Sequence, residues 1–486
     1  MSRFEAMTPV RMRRVAIVAP REAMRGALVR VAEAGCVEID SGDDAGSGGP
    51  PAAPGSAVRR LRHARVEPRR AALSAALPDL ASLERAGRTD LLAGEAQLEE
   101  RLGSAVPHGT VAALAGWCPA TDVPAAAERL AGAGAALVPL RAPRGADPPT
   151  LLRSTGAVRR SFAPLVRTYG TVPYADLDPT LPAGIVYVVM FGVMFGDAGH
   201  GALLLLAGLL LRLGRPRRVR GLRPLWPFIA GAGLTSTLAG AAYGEFFGPT
   251  GVLPVLWVNP LQEPMRLLLA AIGLGGILLA LAYGVGIVNR WREDGPAGAL
   301  YALSGIAGAA LYVGLAVMGA AAWLHRAEWA YGGVAVAGAG LVLAGNGLFA
   351  MTGGGPGGVV QVGIQLFDGV LRIGSNVVSF ARLAAFGLTH AALGAIVWQG
   401  TTALADLGAA GLPAAVVLFV VGNALAFALE ALVAGVQALR LEFYELFSRV
   451  FEAQGRPFRP WRLPVLDGDE PMAAPPRGDP PGKETT

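Results

Sequence analysis

Eight apolar segments follow one another through the C-terminal two thirds of the chain. They cover approximately residues 181–195, 198–213, 224–246, 265–289, 297–324, 328–351, 362–404 and 412–452. A helix needs about 20 apolar residues to cross a bilayer. The pattern therefore predicts an α-helical polytopic membrane protein with about eight transmembrane helices in residues 181–452. The last two segments are too long for a perpendicular crossing, so we expect long, tilted helices there.

Positive charge between the segments predicts their orientation. Residues 212–223 carry six arginines, which favours the cytoplasmic side. The start of the chain lacks the apolar core of a signal peptide, so we expect the N-terminal region in the cytoplasm as well. An even number of crossings must then precede residue 212, which favours a helix break near Gly196–Gly199. Eight crossings place both termini in the cytoplasm, in a multi-pass protein of the cell membrane.

Residues 1–175 carry shorter patterns that are typical of a small cytoplasmic α/β head. Strands are predicted at 13–19, 36–39, 110–117 and 135–140, and helices at 20–34, 78–103 and 122–133. Residues 41–57 are rich in glycine, serine and proline, so we expect a loop or disorder there. Residues 463–486 have a similar composition and are predicted to form a disordered cytoplasmic tail.

Composition agrees with this division and excludes some functions. The chain is 53% hydrophobic and only 16% charged, whereas a soluble chain carries about a quarter charged residues. The net charge of +6 is explained by basic cytoplasmic loops, so no nucleic-acid partner is expected. Cys36 and Cys118 make neither a disulfide scaffold nor a metal site. No phosphate-binding loop or catalytic cluster is visible, so we expect no enzymatic site and no cofactor in this chain.

Polar side chains recur along segment 362–404. Five of them follow steps of three or four residues, as one helix face requires: Asp368, Arg372, Ser375, Ser379 and Arg382. Ionisable residues inside a span are costly and usually mark a functional path. Arg382 is the strongest candidate, because its neighbours are apolar and its guanidinium cannot lose its proton.

A second polar stripe occupies segment 412–452. Four residues recur at seven-residue steps: Asn423, Glu430, Gln437 and Tyr444. Arg440 lies one turn beyond Gln437, and His390 lies two turns beyond Arg382 on the preceding segment. Two polar stripes, each with an arginine, predict a hydrophilic surface shared by the two helices.

Simpler explanations remain open for several of these residues. Ser375, Ser379 and Asn423 can serve as hydrogen-bonding contacts between helices. Arg372 can extend its side chain to the membrane interface. Asp197 and His200 lie in a glycine-rich bend, where a helix-capping role explains them as well as ion handling does.

Several motifs resemble subunit a, also called subunit I, of V-type and A-type rotary ATPases. In the membrane segments these are FGVMFGDAGHG at 191–201, YGEFFG at 243–248, NVVSFARLAAFGLTHAAL at 376–393 and ALEALVAGVQALRLEFYELFSRVFEAQGRPFRPW at 428–461. In the head they are LAGWCP at 114–119, DPPTLL at 147–152 and YADLDPT at 174–180. The resemblance covers the chain apart from residues 41–110 and the tail.

The resemblance implies a role for individual residues. Arg382 corresponds to the essential arginine that faces the rotating ring of proteolipid c-subunits, and Arg440 corresponds to the second arginine on the last helix. Four residues match other positions along the ion path: Glu430, His390, Asp368 and Gln437. Further candidates for the same path are Ser375, Ser379, Asn423, Asp197, His200 and Glu245.

The resemblance also implies a mechanism and partners. The fixed charge of Arg382 would favour the ionised form of each ring carboxylate, so that ions pass between two half-channels only when the ring turns. The implied partners are the proteolipid c-ring, peripheral-stalk subunits of the E and G type, a central-stalk cap of the C or d type, and the lipid membrane. The transported ion, H⁺ or Na⁺, and the direction of operation stay open, since the choice of ion belongs mostly to the ring.

One departure and two alternatives complete the prediction. Residues 58–105 are short for the coiled-coil arms usual in this family and show no sustained heptads. Docking to the stalks is therefore expected to be reduced or altered.

A secondary transporter with Arg382 and Glu430 as a substrate-binding pair is one alternative function, although internal repeats are not visible. A degenerate relative that serves as a scaffold without pumping is the other.

Overall fold

The computed structural model describes residues 8–40, 55–64, 70–143, 146–153, 156–215, 217–352, 355–451 and 454–466. The chain divides into two compact units. We call residues 10–151 together with the segment from residue 456 onward the head, and residues 1–9 and 152–455 the membrane unit. Most of the predicted loop at 41–57 lies outside the described residues, which resume at Gly55.

The head is built on one antiparallel sheet. Its elements are β1 (Met12–Pro20), α1 (Met24–Ala34), β2 (Glu38–Ile39), α2 (Ser56–Ala64), β3 (Leu73–Ser74), α3 (Leu80–Arg85), α4 (Thr89–Gly103), β4 (Val106–His108), β5 (Val111–Pro119), α5 (Val123–Ala131), β6 (Ala136–Pro139) and β7 (Val465–Leu466). The strand order is β2-β5-β1-β6, with β4 added beside β5. The two predicted α/β pieces therefore interleave their strands in a single ferredoxin-like sheet.

Local sequence explains where the first head helix ends. Gly35 adopts a left-handed conformation with φ of 57°, and its N–H donates to the carbonyl of Val31 at 2.9 Å. Glycine takes this conformation without a Cβ penalty, so the helix stops and the chain turns back into β2. One face of α1, including Leu28 and Val31, is buried against the sheet core.

The C-terminal segment 456–466 folds onto the head. Its strand β7 pairs with β3 in parallel. Glu38, which is 8% exposed, anchors the start of the segment. The Oε1 atom of Glu38 accepts from Nη2 of Arg456 at 2.5 Å, and its Oε2 atom accepts from the backbone N–H of Arg459 at 2.6 Å. The described residues therefore extend through Leu466, into the predicted tail, and residues 467–486 lie outside them.

The membrane unit is helical. Its helices are α6 (Ala157–Tyr169), α7 (Thr180–Met194), α8 (Ala198–Arg212), α9 (Trp226–Tyr243), α10 (Pro264–Tyr301), α11 (Ile306–Trp323), α12 (Ala327–Met351), α13 (Gly355–Ser379), α14 (Ala381–Ala405), α15 (Leu412–Leu441) and α16 (Ser448–Val450). In the part of the chain that is described, six helical stretches are long and apolar enough to cross a membrane. Helices α7 and α8 are apolar but have 15 residues each, which span about 22 Å of a hydrocarbon core of about 30 Å. The α-helical polytopic class is confirmed.

Helices α7 and α8 are separate and run in opposite directions. Helix α9 packs on both. It runs in the same direction as α7, because Phe228 contacts the ring of Tyr187 and the later residue Thr235 donates to the carbonyl of Val188. It runs antiparallel to α8, since Gly240 packs against Ala198 and the earlier residue Ala230 packs against Gly208. The break predicted near Gly196–Gly199 is therefore present as a reversal of the chain.

Glycines allow α8 and α9 to approach closely. A Cβ atom built on Gly233 would lie 2.2 Å from the backbone nitrogen of Leu205, and one on Gly240 would lie 2.0 Å from that of Ala198. Neither space can hold a methyl group unless the helices separate. Small residues at such positions let membrane helices pack backbone to backbone. This packing fixes the N-terminal end of α8, where Asp197 and His200 lie.

We expect Gly240→Ala to destabilise the membrane unit, by about 1–3 kcal/mol, because the added methyl group overlaps backbone atoms. Thermal unfolding in detergent should show a lower midpoint than for the unmodified chain. Gly284→Ala is the matched control, since Gly284 also lies within a helix but nothing packs within 4 Å of the position that its Cβ atom would take. Equal midpoints for the two variants would contradict the close α8–α9 contact.

Two local irregularities interrupt the last helices. The long helix predicted over 362–404 is divided into α13 and α14 at Phe380, whose ring is fully buried against Gly275 of α10. Residues Glu442–Phe447, after α15, form a π-helical turn. Such turns are rare and shift the register of the side chains that follow. Both irregularities lie beside Arg382.

Candidate functional site

Arg382 lies in the first turn of α14 and forms a partly buried ion pair with the π-helical turn. Its Nη2 atom is 3.1 Å from Oε1 of Glu445, and its Nε–H donates to the carbonyl of Ser379 at 3.0 Å. When the side-chain amide of Asn376 is oriented so that its nitrogen and oxygen both match their neighbours, its N–H donates to Oε2 of Glu445 at 2.9 Å. The side chain of Glu445 is 9% exposed, but that of Arg382 is 26% exposed. The guanidinium is therefore fixed by Glu445 and Ser379 on its buried side, and it remains accessible from the surface of the chain.

A second polar cluster lies further along the same helix pair. His390 contacts Glu430 of α15 through Nδ1, while its Nε2 atom is 3.9 Å from Oδ2 of Asp197. His200 completes the cluster, with Nδ1 3.7 Å from Oδ1 of Asp197. Glu245 is also buried, at 2% exposure. The structure thus brings four candidates together that are far apart in sequence.

Asp197 is the anchor of this cluster. Its Oδ1 atom accepts the backbone N–H groups of His200 at 2.9 Å and of Phe247 at 3.0 Å. Its Oδ2 atom accepts the N–H of Gly248 at 2.8 Å. The carboxylate therefore caps the start of α8 and fixes the loop that contains Glu245. The capping role left open for Asp197 is present, and it does not exclude a further role.

The two clusters form two levels on one antiparallel helix pair. Arg382 faces Glu445 at one level, and His390 faces Glu430 at the other. Eight residues on α14 separate the levels, or about 12 Å along the helix axis. Gln437 lies between them in sequence on α15, and its amide oxygen is buried without a hydrogen-bond partner among the described residues. Polar groups therefore continue from one level toward the other.

Other candidates lie on the outer face of the unit. Asp368 and Arg372 form an exposed i, i+4 ion pair at 2.7 Å. Ser375 and Arg440 are exposed as well. Asn423 donates to the carbonyl of Phe419 within its own helix, at 2.9 Å, which matches a structural role. The predicted single stripe from Asp368 to Arg382 is thus divided by the break at Phe380, with its first residues at the surface and Arg382 half-buried.

Sequence reasoning missed two buried carboxylic acids, Glu442 and Glu445. The seven-residue period of the second stripe predicts that Tyr444 faces the partner helix. In the structure Tyr444 is 69% exposed, whereas Glu442 and Glu445 are buried. The π-helical turn causes this difference, because period counting assumes an uninterrupted α-helix. Their presence as acids in an apolar segment was the signal that could have found them.

A buried carboxyl also lies outside the spans. Asp176, in the loop between α6 and α7, is 1% exposed. Burial raises the pKa of this carboxyl to about 8, and the nearby Glu293 carboxylate adds to the rise. The folded chain therefore holds a proton on Asp176 at neutral pH that the unfolded chain releases near pH 4.

We expect Asp176→Asn to remove part of the pH dependence of stability. The pKa of Asp176 is higher in the folded chain, so its favourable contribution is complete below about pH 4 and is lost as pH rises through about 8. The variant should gain stability over the unmodified chain as pH increases from 5 to 9. Thermal midpoints across this range would test it, with exposed Asp147→Asn as the control. A constant difference between the two chains would contradict the assignment.

Fold and site together define a polytopic membrane protein with ionisable clusters inside its helix bundle. Residues 105–219 match the model of the V-type ATPase 116kDa subunit family. The A-type ATP synthase subunit I of Thermococcus kodakarensis is 26% identical over 369 residues, covering 72% of this chain and 54% of that protein. The subunit I of Halobacterium salinarum is 28% identical over 394 residues, covering 65% and 51%.

A further match is the V-type ATP synthase subunit I 2 of Treponema pallidum, 31% identical over 158 residues, or 28% of this chain and 35% of that protein. The chain spans about half the length of the first of these relatives. The family-model match includes the motifs at 114–119, 147–152, 174–180 and 191–201. The chain is thus similar to the V-type ATPase 116kDa subunit family over residues 105–219, and to subunit I of A-type ATP synthases over about two thirds of its length.

Proposed function

We propose that this chain is the membrane stator subunit of a V/A-type rotary ATPase. It would supply the arginine and the two half-channels through which protons or sodium ions reach a rotating proteolipid ring. The observation that carries the proposal is that Arg382 is both ion-paired and partly exposed. This permanent charge is held by Glu445 from one side and remains 26% exposed on the other, in an apolar part of the chain.

The outer face of the last helices supports a partner within the membrane. Only 6% of the most apolar stretch of residues 412–450 is buried in this chain. Arg440 is exposed on α15, and Asp368 and Arg372 are exposed on α13. Charged side chains facing lipid are costly, so such a surface is expected to face water or another polar protein surface. A ring whose subunits each carry one carboxylate meets that requirement.

The level of His390 and Glu430 supports one of the two proposed paths. When a ring carboxylate comes near Arg382, the fixed positive charge favours the ionised form, and the ion leaves the carboxylate. The cluster of His390, Glu430 and Asp197 lies about 12 Å away along α14 and would conduct ions on the other side. In the proposed mechanism the guanidinium separates this path from the second one, so ions cannot pass directly and rotation becomes obligatory.

The direction of the paths follows from the loop charges. The arginine-rich loop 212–223 lies at the C-terminal end of α8, and His200 lies at its N-terminal end. If that loop is cytoplasmic, the His200 end of α8 is the non-cytoplasmic end. The His390–Asp197 cluster would then belong to the non-cytoplasmic half-channel, with both termini in the cytoplasm.

The short helical arm of the head affects the proposed partners. Between the two halves of the sheet, α2, α3 and α4 comprise nine, six and 15 residues. This arm is too short for a long coiled coil. Contacts with peripheral-stalk subunits of the E and G type, and with a C- or d-type cap, would therefore use the compact head itself.

Purification of the chain from its native membrane, through an affinity tag, tests the assignment. The proposal predicts a stable complex with a small proteolipid ring and with ATP-hydrolysing subunits. The main alternative is a secondary transporter that uses Arg382 and Glu430 as a substrate-binding pair. The structure gives Arg382 and Glu430 different partners, Glu445 and His390, which disfavours that alternative. A lone chain that catalyses solute exchange in vesicles would contradict the proposal.

A further inference from the structure

Three buried side chains from two distant segments converge on one point in the membrane unit. Asp197 and His200 come from the start of α8, and His390 comes from α14. One ligand atom from each lies within 4.8 Å of the other two. All three residues are buried, with exposed fractions of 0%, 3% and 5%. In the sequence, 190 positions separate His200 from His390.

The distances within the cluster suit a small divalent cation. A tetrahedral zinc ion binds nitrogen and oxygen ligands at about 2.0–2.1 Å, which places the ligand atoms about 3.3–3.5 Å from one another. The Asp197–His200 and Asp197–His390 separations are 3.7 Å and 3.9 Å. The first distance is to Oδ1 and the second to Oδ2, and the three ligand atoms lie within 4.8 Å of one another, so side-chain shifts of up to about 1 Å would close the site. Two imidazoles and one carboxylate are ligands that zinc prefers.

The free hydrogen-bonding positions point into the same space. Neither ring nitrogen of His200 has a hydrogen-bond partner among the described residues. Oδ1 of Asp197 already accepts two backbone N–H groups, but Oδ2 accepts one and keeps a lone pair. An imidazole nitrogen and a carboxylate oxygen are therefore available where buried polar groups normally have partners.

Glu430 provides the support that a metal-binding histidine usually has. It contacts Nδ1 of His390, which leaves Nε2 of the same ring directed toward Asp197. In metal sites the second ring nitrogen of a ligating histidine commonly donates to a carboxylate, which fixes the tautomer and the ring orientation. The Glu430–His390 contact places a carboxylate at the ring nitrogen that such support requires.

We propose that Asp197, His200 and His390 bind Zn²⁺, with Glu430 orienting His390. Three protein ligands leave a fourth position for a water molecule. A consequence, which rests on the proposed function, is that bound zinc closes the half-channel containing His390 and inhibits ion flow through it. Metal binding itself depends only on the geometry of this chain.

Direct metal binding by the full chain in detergent tests the proposal. The free cysteines of the head, Cys36 and Cys118, are first replaced by serine, because thiolates also bind zinc. Competition with a chromophoric chelator should then give one Zn²⁺ per chain, and Co²⁺ should show the visible spectrum of a four-coordinate site with nitrogen and oxygen ligands. His200→Ala and His390→Ala should each weaken binding at least a hundredfold.

Two further variants separate this site from general effects. Glu430→Gln should weaken Zn²⁺ binding about 10–100-fold, as loss of an orienting carboxylate does. His325→Ala is the matched control and should leave binding unchanged, because His325 is exposed at the end of α11. Circular dichroism and gel filtration would confirm that the variants remain folded.

Unchanged zinc affinity in both His200→Ala and His390→Ala would overturn the proposal, as would loss of the bound metal in His325→Ala. These outcomes are independent of pumping. A chain that binds zinc but fails to join a rotary complex would overturn the proposed function and leave the metal site in place. A complex that pumps but does not bind zinc in this way would overturn the metal site and leave the proposed function in place.

Discussion

Replacing Arg382 with alanine is expected to abolish ATP-driven ion pumping while ATP hydrolysis by the soluble part of the complex continues to some degree. The variant leaves Glu445 buried with no opposite charge, and it removes the fixed positive charge that, in the proposed function, favours release of the ion from each ring carboxylate. If loss of the fixed charge raises the barrier to ion release by about 3 kcal/mol, that step slows more than a hundredfold. Quenching of a pH-sensitive dye in reconstituted vesicles would measure the loss.

An arginine outside the site serves as the control for this experiment. Arg266 forms an exposed ion pair with Glu263 at 2.6 Å, at the start of α10. Arg266→Ala removes the same charge from the same unit and should leave pumping within about twofold, because exposed ion pairs contribute little. Near-normal pumping by Arg382→Ala would refute the role given to this residue.

The second large effect is expected at Glu445, the partner that sequence reasoning missed. Glu445→Ala should reduce pumping about tenfold or more, because Arg382 loses the contact that fixes its position and the Asn376 amide loses its acceptor. Because Arg382 is 26% exposed, solvent will compensate part of the lost charge, and the cost to stability should be about 1–2 kcal/mol.

A double-mutant cycle would identify the pair as the cause. The destabilisation of Arg382→Ala plus Glu445→Ala should be smaller than the sum of the single effects, with a coupling of about 1 kcal/mol. Glu263→Ala, combined with Arg382→Ala, should be additive because the two sites are not in contact. Additivity at Arg382 and Glu445 would mean that their contact contributes nothing in solution.

Much of the fold followed from the sequence because hydrophobic length is a strong signal. The eight predicted apolar segments correspond to helices α7 to α15, and the break near Gly196–Gly199 is present. The irregular features were harder to predict from the sequence. The division at Phe380 depends on a ring that fits against Gly275, about a hundred residues away in the chain. Such packing cannot be read from local periodicity.

The candidate site was predicted in part. Arg382, His390 and Glu430 were singled out because ionisable residues are rare in apolar helices. Their partners were not predicted, since the Arg382–Glu445 contact depends on a π-helical turn and the His390–Asp197 contact joins segments that are far apart in the chain. Period counting instead favoured Tyr444, which lies on the outer surface. The fold of residues 456–466 onto the head was missed for a similar reason, as Glu38 lies far from them in sequence.

Photo-crosslinking in native membranes tests the central claim most directly. A benzophenone side chain at Ala385, an exposed position one turn beyond Arg382, would report what lies against this face. The same probe at Val342, which is 64% exposed on α12, is the control for a lipid-facing position. The proposed function predicts that light joins position 385, but not 342, to a small proteolipid bearing a carboxylate. Adducts with lipid alone at position 385, in an intact complex, would contradict it.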